Sequence, residues 1–118
     1  MPINVAYDKN HPSLSAENNY HFILYEGTKI VCVSHIKFLT KREVKLRTLS
    51  TDEPYKRKGY GIYMMKLLEK WIKSQGGDII KMHANLSAEK FYRKLGYVDM
   101  VFDDISISKD IIDLGKII

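Results

Sequence analysis

A single cysteine, Cys32, stands in a chain of 118 residues. It cannot close an internal disulfide, so the fold has to be held by its core, and a lone thiol suits a reducing compartment. A cytoplasmic location is expected, and Cys32, set in an apolar run, is expected to be a buried small hydrophobe. No stretch approaches the roughly 18 apolar residues of a membrane span. Residues 1–15 lack an apolar core behind basic residues and do not read as a secretory signal. Internal repeats and low-complexity tracts are missing. The four histidines and the cysteine show no zinc-ligand spacing, so no metal is expected. There is no Gly-x-Ser-x-Gly elbow and no Gly-x-x-x-x-Gly-Lys-Ser/Thr loop. A dinucleotide fingerprint fails as well, because its third glycine would fall on Met64.

What is present is ordinary for a globular protein: 45% apolar and 28% charged residues, at a length that fits one domain over residues 1–118. The net charge of +5 favours an anionic partner without choosing among nucleic acid, a phosphorylated cofactor and a membrane surface. Residues 1–19 carry Pro2 and Pro12 and read as a short, poorly structured or edge-strand segment, with strand character only at 3–7. Runs 21–25 and 30–38 are rich in aromatic and β-branched residues and are separated by the turn Glu26-Gly27-Thr28. Residues 43–51 alternate Val44, Leu46 and Thr48 against Lys45 and Arg47, the pattern of a half-buried strand. Three such runs with short connections predict an antiparallel meander.

The period then changes. Residues 61–74 place Met64/Met65, Leu68 and Trp71/Ile72 on one helical face, and Gly76-Gly77 stops the helix. A short strand follows at 78–83. Residues 87–95 form a short helix with Ser87 as its expected N-cap and Gly96 just past its end. Residues 97–102 and 109–114 are the last strand candidates. The strand–helix–strand unit over 43–83 predicts a parallel crossover, and the whole predicts a mixed α/β sheet with helices covering its faces.

The segment that carries chemistry is Lys56-Arg57-Lys58-Gly59-Tyr60-Gly61, between a strand and the start of an amphipathic helix. The first N–H groups of a helix have no internal partner, and the dipole adds positive charge there. Gly59 and Gly61 let the backbone approach a ligand, and three consecutive cations attract anions from a distance. Physics alone points to a diphosphate. A solvated basic turn is the bland alternative.

These residues resemble the first motif of the GNAT acetyltransferase superfamily, Gln/Arg-x-x-Gly-x-Gly/Ala. Downstream, Asn85-Leu86-Ser87-Ala88-Glu89-Lys90-Phe91-Tyr92-Arg93-Lys94-Leu95-Gly96-Tyr97 is similar to the second motif, Asn-x-x-Ala-x-x-Φ-Tyr-x-x-x-Gly-Φ, at nearly every defined position. A helix and a strand separate the two, as in the family, and the likeness runs from about residue 20 to the end. Lys56 stands where Arg or Gln is usual, keeping charge without the guanidinium fork. Arg57 occupies a position often small, and the front of the chain is much shorter than the family's first strand and two helices.

The resemblance implies an α/β (α+β) fold: a mostly antiparallel sheet with a central parallel crossover, a V-shaped splay and a truncated N-terminal helical region. It implies an N-acetyltransferase that takes acetyl-CoA as cosubstrate and passes the acetyl group by direct attack to an amine of a small molecule or protein. Pantetheine would enter between residues 46–51 and 78–83, with the backbone of Leu49, Ser50 and Thr51 pairing to it like an added strand. Lys56, Arg57, Lys58, Gly59, Tyr60 and Gly61 would hold the pyrophosphate, and Asn85 would also contact the cofactor. Tyr92 matches the motif tyrosine and would be the general acid for the departing thiolate. Some members use a glutamate base whose place falls on Lys45 here, so the base candidates are His83, at the end of the parallel strand, and Glu43.

Two further readings stand beside this one. A GNAT-like scaffold could bind acyl-CoA with reduced catalysis. A basic nucleic-acid-binding domain could draw on Lys41, Arg42, Lys45, Arg47, Lys56, Arg57 and Lys58 and on the eight tyrosines to stack bases, although no nucleic-acid signature is present. The acceptor amine is not legible. Asp103-Asp104 could attract a cationic amine or be an acidic turn. The short front could leave the site open to a protein amine, or a second copy could close it as a homodimer.

Overall fold

The computed structural model describes residues 3–7, 18–101 and 109–118, the first stretch by its backbone. Asp103, Asp104 and Phe102 lie outside the described residues. The elements in chain order are β1 (Ile3–Tyr7), β2 (Asn19–Glu26), β3 (Lys29–Phe38), β4 (Glu43–Thr51), α1 (Tyr60–Ser74), β5 (Ile79–Asn85), α2 (Glu89–Lys94), β6 (Val98–Asp99) and β7 (Ile111–Ile117). The strands form one sheet in the order β1-β2-β3-β4-β5-β7-β6. Every neighbouring pair is antiparallel except β4 and β5, which run parallel around α1. This is the mixed sheet the pattern predicts, and the four-strand run β1 to β4 is the predicted meander extended by one edge strand.

The sheet is two-sided in the chemical sense. Phe22 and Leu24 of β2, Cys32 and Ile36 of β3, Val44 and Leu46 of β4, Ile80 and Met82 of β5 and Leu114 of β7 are buried. Met64, Met65, Leu68 and Ile72 of α1 close over them. Each such side chain contributes about 1.5–3 kcal/mol when fully buried. The alternate positions carry His21, His35, Lys37, Lys45, Lys81, His83 and Asp113, so that face can meet water, as one side of an antiparallel sheet commonly does. Helices were expected on both faces. Among the described residues both sit on the apolar one: Phe91 of α2 packs against Gly61 of α1, and the Tyr97 hydroxyl donates to Glu69 Oε2 at 2.9 Å.

Two local expectations are corrected. Ser87 does not cap α2. Residues Leu86–Ala88 form a 3₁₀ turn, α2 begins at Glu89, and no side chain caps either start. Nor does the alternation of β4 run through Thr48. Ile36 pairs with Leu46 and His35 with Thr48, so Arg47 is an extra residue, a β-bulge. The bulge shifts the phase by one. Val44 and Leu46 are buried and Arg47 and Thr48 exposed, and Leu49 and Thr51 then take the inward positions.

Candidate active site

That bulge opens the site. β4 and β5 pair only from Glu43↔Ile79 to Leu46↔Met82. A bulged strand bends and twists away from its neighbour, and beyond Leu46 the two strands part. The far edge of β4 stays paired to β3 up to Thr51↔Cys32. Toward β5, the backbone of residues 47–51 therefore faces a V-shaped gap rather than a strand. β5 continues past the parting to Asn85, held on its other side by β7.

The chain leaves β4 through a 3₁₀ turn at Glu53–Tyr55 and enters α1 through Lys56 to Gly59. Two residues there have left-handed backbones, Arg57 at φ 65° and Gly59 at φ 85°. Gly59 is the N-cap of α1, and it offers no side chain to cap the helix. The first turn holds no acidic residue either. Both usual means of satisfying the opening N–H groups and the dipole are missing, which leaves them for an outside anion. Gly61 is small for a second reason: a Cβ there would lie 3.1 Å from Phe91 Cζ. Lys56, Arg57 and Lys58 are exposed. The Lys56 ammonium lies 3.0 Å from Glu53, and that of Lys58 lies over the Tyr55 ring.

A cavity of about 370 Å³ lies on the helix side, bordered by Leu49, Thr51, Lys56, Gly59, Gly61 and Tyr92. A second, of about 210 Å³, occupies the gap itself, bordered by Arg47, Leu49, His83, Asn85 and Tyr92. Leu49, Ala88 and Tyr92 belong to both, so the two cavities meet at the Tyr92 ring. The sequence-derived set thus largely converges. Gly59, Gly61, Tyr60, Lys56 and Arg57 meet Leu49 and Thr51 at one end, and His83, Asn85 and Tyr92 meet at the other. Ser50 is exposed and borders neither cavity with its side chain. Thr51 Oγ1 reaches Cys32 Sγ at 3.6 Å. Burial pushes the Cys32 thiol pKa up, which keeps it an inert core group.

Tyr92 is buried, and burial is the main reason its phenol is pushed up to about 12. His83 Nδ1 lies 2.5 Å from Asp113 Oδ1. Glu43 does not join the site. It sits at the closed end of the β4–β5 pair, where Lys81 Nζ holds it at 2.6 Å. Asn85 ends β5 without capping the turn that follows. Arg93 is engaged by Glu89 and Asp99. The sequence pattern did not assign Arg47 or Asp113 to this site. One reads as the polar half of a strand, and the other is a lone acid in a terminal strand. Only the bulge brings Arg47 to the gap, and only the β5–β7 pairing sets Asp113 against His83.

The sequence model of the "Acetyltransferase (GNAT) family" matches residues 3–97. The chain belongs to the GNAT acetyltransferase family. An uncharacterized acetyltransferase of Streptococcus pyogenes is 29% identical over 75 residues, 64% of this chain and 53% of that protein. The chain thus spans about half the length of the curated relatives it matches. A GNAT family acetyltransferase from Elizabethkingia anophelis, solved with acetyl-CoA bound, superposes with a TM-score of 0.79 at 11% identity over 98% of each chain. PaiA N-acetyltransferase from Thermoplasma acidophilum, in complex with coenzyme A, gives 0.74 at 17% identity over 90% of this chain and 65% of that one. At these identities the likeness establishes the GNAT fold. Among the described residues no helix is long and apolar enough to cross a membrane.

Proposed function

We propose that this GNAT chain is one acyltransferase domain that passes an acetyl group from acetyl-CoA to an amine by direct attack. The observation that carries this is the meeting of two cavities at Tyr92: one begins at the bare N-terminus of α1, the other fills the gap between β4 and β5. A long thioester with a diphosphate at one end fits such a trough. The amides of residues 57–61 hold the diphosphate. The backbone of Leu49, Ser50 and Thr51 pairs with the pantetheine amides, and the thioester lies by Tyr92, with Asn85 at the rim. In support, two proteins of this fold hold acetyl-CoA or coenzyme A.

The amine nitrogen attacks the thioester carbon, the C–S bond breaks, and the coenzyme leaves as a thiol. His83 takes a proton from the amine and passes it to solvent, while the departing sulfur accepts a hydrogen bond from the Tyr92 phenol and draws its proton from solvent. With its pKa pushed up to about 12, the Tyr92 phenol stays protonated at any physiological pH. An ordinary thiol has a pKa near 8.5, so full proton transfer from that phenol is uphill. Its contribution is a hydrogen bond that strengthens as charge develops on sulfur. Glu43, held by Lys81 away from the gap, is set aside as the base.

Calorimetric titration with acetyl-CoA should give saturable one-to-one binding, and a single-stranded oligonucleotide should not compete. Thiol release on adding an amine then separates an enzyme from a cofactor-binding scaffold. An absence of acetyl-CoA binding would overturn the assignment, and equal thiol release by the parent and Tyr92→Phe would remove Tyr92 from the chemistry.

A further inference from the structure

Asp113 has no part in the chemistry so far, yet it is tied to the gap. β5 and β7 pair with His83 directly opposite Asp113, and both side chains are mostly covered, at 19% and 17% exposure. A carboxylate only accepts hydrogen bonds, so at 2.5 Å it is His83 Nδ1 that carries the hydrogen. β7 and β4 flank β5 on opposite sides. With Nδ1 turned to β7, Nε2 is the ring nitrogen on the side away from β7, and His83 borders the gap cavity together with Tyr92.

We propose that Asp113 is a positioning residue: it fixes the ring and tautomer of His83 so that Nε2 is the proton acceptor for the amine. This deepens the acetyltransferase assignment and rests on it. The amine gives one proton to Nε2 as its nitrogen bonds to the acyl carbon, and the imidazolium so formed is stabilised by the Asp113 carboxylate without proton transfer between them. The same division of labour, a carboxylate orienting a histidine that exchanges protons through its other nitrogen, operates in serine proteases. Among the described residues, the other charged or titratable groups near His83 include Arg47 on β4, Tyr92 on α2, and Lys81 two residues back on β5, itself paired with Glu43.

The test has two arms on the full chain. The first is ¹⁵N NMR of the histidine rings. The parent should show His83 with hydrogen on Nδ1, and Asp113→Asn should lose that signature. A parent with hydrogen on Nε2 at neutral pH overturns the proposal whatever the activity. The second is thiol release from acetyl-CoA with free amino acids, spermidine and short peptides bearing free α-amino groups, followed across pH. Asp113→Asn should lower kcat/KM at least about 100-fold and move the acid limb of the profile to lower pH, with acetyl-CoA affinity within about twofold, and Asp113→Glu should restore part of the loss. If the parent turns over and Asp113→Asn matches it in rate and limb, the positioning role is wrong while the acetyltransferase stands. If the parent binds acetyl-CoA and releases thiol with none of these amines, the acetyltransferase assignment fails first, and the role of Asp113 falls with it.

Discussion

Two glycines in one short loop are there for different reasons, and substitution separates them. Gly59 has φ 85° and nothing within 4 Å of a built Cβ. Its requirement is conformational, and an L residue held there costs about 1–2 kcal/mol. Gly59→Ala should therefore lower stability by about that much, whereas Gly59→Asn, which tolerates the left-handed region, should cost less. Gly61 has ordinary φ, and its requirement is space against Phe91. A chemical melt of the two variants at 59 decides this: equal losses for Ala and Asn would contradict a purely conformational role. Tyr92 makes a second residue-scale case. Its folded pKa of about 12 stands above the ordinary value near 10, so folding favours the neutral phenol. That stability is fully present below pH 10 and is lost as pH rises toward 12. Two units correspond to about 2–3 kcal/mol. Burial also raises the Tyr97 phenol, next to Glu69. The fall in unfolding free energy from pH 10 to 12 should thus shrink in Tyr92→Phe without vanishing. In the same variant kcat should drop about 10²–10³-fold at pH 7.

At the scale of elements, α1 does two jobs with one sequence. Its apolar stripe anchors it to β3 and β4, and its uncapped start faces the trough. Ile72 is fully buried near its C-terminal end, far along the helix from Gly59, so Ile72→Ala should cost about 2–5 kcal/mol and leave acetyl-CoA affinity per folded molecule unchanged. Equal loss of affinity and stability would mean that the loop is not an independent binding unit. The stripe was legible because helical periodicity is a local property. The loop by itself also fits a solvated basic turn, and only the second motif downstream singles it out. The bulge at Arg47 was not legible. An inserted residue leaves the composition of a strand unchanged and shows only when β3 is laid alongside, with His35 against Thr48 and Ile36 against Leu46. Asp113 was hidden for the same reason, its meaning arising thirty residues away at His83. Ser87 failed as a cap because the chain turns through a 3₁₀ segment first. Motif matching gave Tyr92 and Asn85, but physics alone would have left Tyr92 as a core aromatic.

Across the whole molecule the positive charge is divided. Lys41 and Arg42 lie beyond one end of β4 and Lys56 to Lys58 beyond the other, a separation of about 25 Å at normal strand rise. Arg42 is further engaged by Asp78 at 2.5 Å. At physiological salt the screening length is about 8 Å, so Lys41 and Arg42 add little to the field at the glycine loop. Only the second cluster borders the trough, through Lys56 and Arg57, with Lys58 beside them over the Tyr55 ring. Lys58→Glu should weaken acetyl-CoA binding about tenfold, the effect shrinking at 1 M salt where screening is nearly complete. Lys41→Glu, an equal change in net charge, should leave the affinity within experimental error. Were the attraction a property of net charge, the two variants would weaken binding alike. Were the chain a nucleic-acid binder, both would reduce oligonucleotide affinity, and that affinity would fall by several orders of magnitude between 50 and 200 mM salt. A difference between the two lysines, measured with acetyl-CoA at two salt concentrations, therefore assigns the charge to the glycine loop, where the geometry has use for it.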